Sequence, residues 1–233
     1  MISRAPLCLL LLLLPSTIVA QETSSPHVVR ASGEATVTAK PDRAQISIGV
    51  VTDAPKAEAA AAENASQTSA VLNATKGAIA GHGEVKTTGY SIFPQYDYSA
   101  GHSPRLTGYQ ARNTVLVTVD DLSLTGKVID AATGAGANNI EGVSFSLRDD
   151  SSVRAEALAQ AAQKARANGE AIAKALGLRV VAVLRADTEQ APIVRPIQAE
   201  AFTAMAKAQR APTPIEPGTL DIHASVTVTL QVQ

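Results

Sequence analysis

The chain has 233 residues, with 20 Lys and Arg against 21 Asp and Glu and a formal net charge of -1. That balance excludes the basic stripe of a nucleic-acid binder. A single cysteine excludes a disulfide framework and cysteine-rich zinc sites, and 45% apolar with 18% charged residues excludes a wholly disordered chain. Aromatic residues are scarce: four Tyr, three Phe and no Trp, while 43 alanines supply much of the apolar content.

Residues 1–20 read as a signal peptide. Arg4 is the positive start, residues 7–14 are an apolar run, and Pro15 breaks it. The run is far shorter than the ~20 residues that span a bilayer, and a polar stretch ending at Ala20 suits cleavage there. Residues 21–27 follow as a polar leader, and 28–233 as one domain. Cys8 leaves with the leader, so the mature chain has no thiol. No later segment has the length and apolarity of a membrane span, and the product is expected to be exported to the periplasm.

Residues 28–39 alternate apolar and polar, the period of a half-buried strand. Lys40-Pro41-Asp42 is a turn, and 45–52 is a second strand, so the pair reads as a hairpin. Asp53 suits the N-cap of a long helix to about Ala80, with a thin stripe of Ala57, Ala61, Asn64 or Ala65, Thr68, Leu72, Thr75 and Ile79. Strands follow at 85–93 and 106–119, joined by a loop over 94–105. Asp120 and Asp121 cap a shorter helix from Leu122 to about Thr133, and 140–147 is a fifth strand. Asp149, Asp150, Ser151 and Ser152 place negative charge and caps at the start of a second long helix. Its stripe is Ala155, Leu158, Ala162, Ala165, Gly169, Ile172 and Leu176, and Gly177 ends it. A sixth strand covers 180–185. Residues 188–218 hold five Pro and a helical patch at 200–209, and form a long loop. Residues 220–232 alternate cleanly as the last strand. The order is β-β-α-β-β-α-β-α-β-loop-β, which is α+β in class: mainly antiparallel sheet with two long Ala-rich helices and one shorter helix packed on it.

Familiar catalytic patterns are missing. His27, His82, His102 and His223 lack metal-ligand spacing and read as surface residues. Gly142 to Ser146 lacks the last Gly of a nucleophile elbow and lies inside a strand. Gly134-Ala135-Gly136 follows a helix, whereas a dinucleotide fingerprint precedes one. The paired carboxylates 120–121 and 149–150 stand where caps belong, and the acceptor-like triplets at Asn64 and Asn73 fall within a helix. No catalytic, cofactor-binding or metal-binding residue is assigned, and no enzyme activity is expected.

One constellation stands apart. Tyr90, Phe93, Tyr96, Tyr98 and Tyr109 are five of the seven aromatic residues and fall within twenty positions. Tyr90, Phe93 and Tyr109 fit packing across a hairpin. Tyr96 and Tyr98, at the loop tip, fit either that packing or a contact surface for another subunit, a glycan or a membrane interface, so the alternative to an assembly protein is a periplasmic binding module for a glycan or hydrophobic small molecule at this loop.

Several strings resemble one family. Gly33-Glu34-Ala35 with Lys40-Pro41-Asp42-Arg43-Ala44 is similar to the opening of the SIMPL-domain family, exported bacterial proteins that include the periplasmic immunogenic proteins. Residues 88–96, residues 108–113 with Asp121-Leu122 after them, and Pro214-Ile215-Glu216-Pro217-Gly218 resemble its later motifs in the same order. The resemblance implies an α+β fold, ring- or channel-like homo-oligomers, envelope components as partners, and a role in protection from oxidative stress. It transfers no catalytic residue, and a mature chain without Cys has no thiol for direct peroxide chemistry, so any such role is indirect.

Overall fold

A computed structural model describes residues 27–98, 103–188, 193–196 and 213–233. The expected signal peptide, most of the polar leader, His102 and the helical patch at 200–209 lie outside the described residues. In chain order the described elements are β1 (Val28–Ala39), β2 (Arg43–Ala54), α1 (Ala57–Ile79), β3 (Gly83–Asp97), β4 (Arg105–Val119), α2 (Thr125–Gly134), β5 (Asn139–Ser146), α3 (Ser151–Ala175), β6 (Val180–Asp187), β7 (Ile193–Pro196) and β8 (Leu220–Val232). The α+β class and the element order match the sequence pattern. β7 is new: it sits within the 188–218 stretch and pairs with β8 at Leu220 to His223, where Pro196 is tolerated because the strand is short and at an edge.

The strands form two antiparallel sheets. One has the order β1-β8-β6, with β7 also on β8, and the other has the order β3-β4-β2-β5. The first two strands are therefore not a hairpin. β1 pairs with β8 along its whole length, and β2 pairs with β4 and β5. Period-2 alternation looks the same whether two strands face each other or the chain crosses between sheets. The turn decides it: Asp42 N–H donates to Ser146 O at 3.2 Å, and the Asp42 carboxylate accepts Arg148 N–H at 2.7 Å. Both bonds deliver the chain onto β5 and away from β1.

Each sheet has its own core. In one, Ile46, Ile48 and Val50 of β2 and Val115, Val117 and Val119 of β4 are fully buried beneath Val71 of α1 and Val128 of α2. Burying one Ile contributes about 2 kcal/mol over leaving it exposed. In the other, Leu220, Ile222 and Leu230 of β8 lie under Ala157, Ala161 and Ala165 of α3.

The helices meet the sheets differently from the expected stripes. In α3 the buried residues are Ala157, Ala161, Ala165, Gly169 and Ala173, whereas Ile172 and Leu176 are exposed. Gly33 of β1 explains this. A Cβ there would strike the backbone of α3 at Ala161 and Ala165, so the helix lies nearly on the strand, and only Ala and Gly fit between them. In α1 the buried stripe is Ala60, Asn64, Thr68, Val71, Thr75 and Ile79. The helix starts at Ala57 with Lys56 at its N-cap, not at Asp53. Asp53 stays in β2 because its backbone is in the ladder opposite Gln110 and its carboxylate accepts from Gln110 Nε2 at 3.0 Å.

Candidate functional site

The aromatic residues mark the place where the sheet leaves its helix. Asn64 of α1 is fully buried and donates through Nδ2 to Val50 O at 2.9 Å and Ala111 O at 3.2 Å. Past Tyr109, the last β4 residue paired with β2, the β3–β4 ribbon continues as an arm. Gly108 sits against the body at its base, since a Cβ there would come 2.9 Å from Ala54 O. Beyond the base lie Tyr96 to Tyr98 and the facing residues from Ser103, while Phe93, opposite Gln110, is level with it.

Register sorts the aromatic residues onto faces. Tyr90 is opposite Asn113 and Phe93 is opposite Gln110, so the two point to opposite sides of the ribbon. A register shift between Gln95 and Tyr96 then sets Tyr96 opposite Leu106. The extra residue is Thr107 of β4, so β3 alternates without interruption and Tyr96 points to the side opposite Phe93. Tyr90, Tyr96 and Tyr98, at even spacing, thus share one face of the ribbon, with Leu106 opposite Tyr96. Without the bulge, Thr107 would stand opposite Tyr96 instead.

Tyr90 and Phe93 are each 55% exposed, Tyr98 73%, and Tyr96 and Leu106 45%. The expected packing of Tyr90 and Phe93 across the hairpin is therefore absent, because the odd spacing separates them. Tyr109 is half-buried at the arm's base. The ring contact among the described residues is Tyr96–Tyr98, with centroids 6.2 Å apart and planes at 54°. That geometry is favourable for an aromatic pair, yet it leaves both rings open to solvent. Leu106 belongs to this surface too, and the cross-strand bulge that recruits it has no clear signature in the sequence.

At the arm's base is a shallow polar depression of about 510 Å³, lined by Asp53, Gln95, Thr107, Tyr109 and Gln110 among others. Thr107 Oγ1 donates to Gln95 O at 3.0 Å, and the Gln110–Asp53 bond closes its side.

The remaining chemistry-bearing groups are tied to one another. Glu141, on the sheet face opposite α1, accepts from Ser47 Oγ at 2.8 Å and Thr114 Oγ1 at 3.3 Å, with Arg112 at 3.9 Å. Asp120 accepts from Arg43 at 2.7 Å, with Arg148 at 3.7 Å. The Arg43 hydrogen bond holds the Asp120 carboxyl below its ordinary range. This pair sits at the joint where β1 passes to β2 and β5 to α3. Asp121 caps the 3-10 turn Leu122–Leu124, and hydrogen bonds from Ser123 lower its pKa. Asp149 accepts the Ser151 N–H at 2.9 Å, and hydrogen bonds from Ser151 lower its pKa likewise. Asp121 thus caps as the sequence suggests, whereas Asp150, at the N-cap of α3, makes no side-chain cap bond and pairs instead with Arg154 at 2.6 Å. His27 and His82 are exposed, and His223 Nδ1 is 3.3 Å from Thr36 Oγ1. Among the described residues no three His, Cys, Asp or Glu side chains gather as a metal-holding group, and no helix is long and apolar enough to cross a membrane.

Comparison with known proteins extends over nearly the same span. Residues 29–230 match the model of a family described as SIMPL, protein of unknown function (DUF541). The chain is 30% identical over 224 residues to the 26 kDa periplasmic immunogenic protein of Brucella melitensis biotype 1, covering 91% of this chain and 88% of that protein. It is 27% identical to YggE of Edwardsiella ictaluri, described as uncharacterized, over 68% of this chain and 66% of that one. With YggE of Escherichia coli K12, also described as uncharacterized, identity is 35% over 52% and 49% of the two chains.

Proposed function

This chain belongs to the SIMPL family, and from that premise we propose that it acts in the periplasm as a non-enzymatic, homo-oligomeric, ring-like assembly protein with a role in the envelope or in indirect protection from oxidative stress. The observation that carries the oligomer is the exposed aromatic arm, whose Tyr90, Tyr96 and Tyr98 share one face with Leu106 and whose Tyr98 is the most exposed of its rings. Clustered exposed aromatics on a projecting ribbon are the kind of surface that association buries. The signal-peptide-like start and the name of the Brucella relative support the periplasm. A non-enzymatic role is supported by the ionisable groups described above, which serve caps, ion pairs and the joint between sheets.

Light scattering on the mature chain tests the assembly. A mass several times that of one mature protomer is expected, and a single-protomer mass across a wide concentration range overturns it. Tyr96→Ala with Tyr98→Ala is expected to lower that mass; unchanged mass and unchanged melting temperature together would remove the arm from the interface. Fractionation of cells expressing the full chain is expected to release it with the periplasmic contents.

A second reading rests on the polar depression at the arm's base. A carboxylate, two amides, a hydroxyl and a tyrosine ring around about 510 Å³ are the groups that hold a glycan. Cell-wall fragments are then expected to raise the melting temperature of the wild type and not of Gln110→Ala. No shift in the wild type would remove this reading.

A further inference from the structure

The described residues with large apolar side chains left exposed are, apart from Val28 and Ile140, divided between two places. One is the arm. The other surrounds the connection from α3 to β6 and consists of Ile172, Leu176, Leu178, Val181, Val183 and Leu184, between 37% and 65% exposed.

The second place has a structural origin. α3 packs on β1 and β8 and leaves β6 uncovered. β6 also pairs irregularly with β8, with register shifts between Val180 and Ala182 and between Val183 and Arg185. The two extra residues, Val181 and Leu184, are apolar, so β6 carries apolar groups in excess of those its pairing turns toward the core. A helix about 10 Å across stands on two strands of the sheet and stops short of the third. The result is an apolar ledge one strand wide beside a helix. The chain also has no described partner strand beyond β6, so the ledge is at an open edge.

We infer that the arm of one copy seats on the α3–β6 ledge of the next copy. This rests on the homo-oligomer proposed above and names its two complementary surfaces. Three observations favour a second copy as the occupant. The arm is a narrow ribbon of aromatic rings and the ledge a recess of branched aliphatic groups, so a projection meets a step. The two surfaces lie on different sheets and share no residue, so every copy offers both at once. Their size also suits an interface: side chains of roughly 200 Å² each, about half exposed, give on the order of 1,000 Å² for the joined pair, the lower bound for a specific contact. Pairing arm with arm, or ledge with ledge, would cover one surface and leave the other in water. Arm on ledge covers both in one contact. Such a contact is heterologous and repeats from copy to copy, closing into a ring or running on as a filament.

Two variants test it. Tyr96→Ser with Tyr98→Ser removes the arm's face; Leu176→Lys with Leu184→Lys charges the ledge. All four positions are exposed, and far-UV circular dichroism with a melt checks that each variant folds as the wild type does. By light scattering the wild type is expected to be a multimer and each variant alone a single protomer. Mixed in equal amounts, the two variants are expected to give a species of two protomers and nothing larger. One carries an intact arm and the other an intact ledge, so one sound contact forms and cannot propagate. A mixture that stays monomeric while the wild type assembles overturns the arm-on-ledge contact and leaves the homo-oligomer standing. A monomeric wild type overturns both. A ledge variant that assembles like the wild type also overturns the inference. So does an arm whose replacement abolishes binding to phosphatidylethanolamine–phosphatidylglycerol vesicles without changing mass, which would make the arm a membrane contact.

Discussion

Replacing Gly33 with alanine puts one methyl group where β1 and α3 meet. Its Cβ would fall against Ala165 N and Ala161 O, and 2.8 Å from the carbonyl carbon of Lys164. All three are backbone atoms of α3, so no side-chain rotation relieves the clash and the helix itself must move. Carbon atoms rest at about 3.5–4.0 Å, so α3 has to rise by roughly 1 Å, and a gap of that size forfeits a quarter to a half of each contact along it. The loss falls on the buried stripe Ala157, Ala161, Ala165, Gly169 and Ala173, each with little apolar area to spare. Overpacking alone costs about 1–3 kcal/mol, so with the loosened stripe about 3 kcal/mol is expected. At about 2–4 °C per kcal/mol for a chain of this size, the melting temperature should fall by about 6–12 °C, followed by far-UV circular dichroism. Gly142→Ala in β5 is the control. No atom lies within 4 Å of a Cβ there, so its effect should stay within about 0.5 kcal/mol. If Gly33→Ala melts with the wild type and with the control, α3 does not rest on β1 as described, and the account of its alanine stripe fails with it.

Asn64→Ala removes a buried amide that donates to Val50 O and Ala111 O; a loss of about 2 kcal/mol is expected in urea unfolding. Gly77→Ala acts in the opposite direction: its Cβ position in α1 meets nothing within 4 Å, so the gain in helix propensity should add about 0.5–1 kcal/mol. Asp120→Asn breaks the pair with Arg43 at the joint between the sheets, costing about 0.5–1 kcal/mol near neutral pH. Folding lowers the Asp120 pKa from its ordinary 3.8, so its contribution is present above that value and is lost as pH falls through the folded pKa. Urea midpoints of wild type and Asp120→Asn should therefore converge in acid, and a constant gap would show that the carboxylate charge is not what stabilises the joint.

What the sequence revealed depended on whether one face of an element decides its burial. β8 is read correctly from residues 220–232 because its even apolar positions, Leu220 to Val232, are all buried on one side of the strand. The β1–β2 connection is misread because alternation records which face is buried and says nothing about which strand is the neighbour. The α3 stripe is misread for a different reason: a size rule replaces a hydrophobicity rule where Gly33 draws the helix close, so alanine is buried and Ile172 and Leu176 are not. The arm was visible as a cluster of tyrosines, and the even spacing of Tyr90, Tyr96 and Tyr98 sets them on one face, but which residue meets Tyr96 across the ribbon depends on the bulge at Gln95–Tyr96. A bulge adds one residue without any required residue type. The ledge was legible only in hindsight, in the apolar residues of α3 that fit no core.

The distribution of the aromatic residues argues that association, not folding, accounts for them. Aromatic side chains bury more area than any others and normally dominate a core, yet both cores here are built from Val, Ile, Leu and Ala, and among the described residues none of the fully buried side chains is aromatic. Phe145 is partly buried against one core, while Tyr90, Phe93, Tyr96 and Tyr98 lie on a ribbon that extends past its helix. Scattered exposed apolar residues are ordinary on any surface; two concentrated groups on separate sheets are not. Since neither group supports a core, substitutions there should change the assembled mass while leaving the protomer's melting temperature close to the wild type's. That separation distinguishes an interface from a packing defect: a residue that serves the fold moves both readouts, and one that serves association moves only the mass.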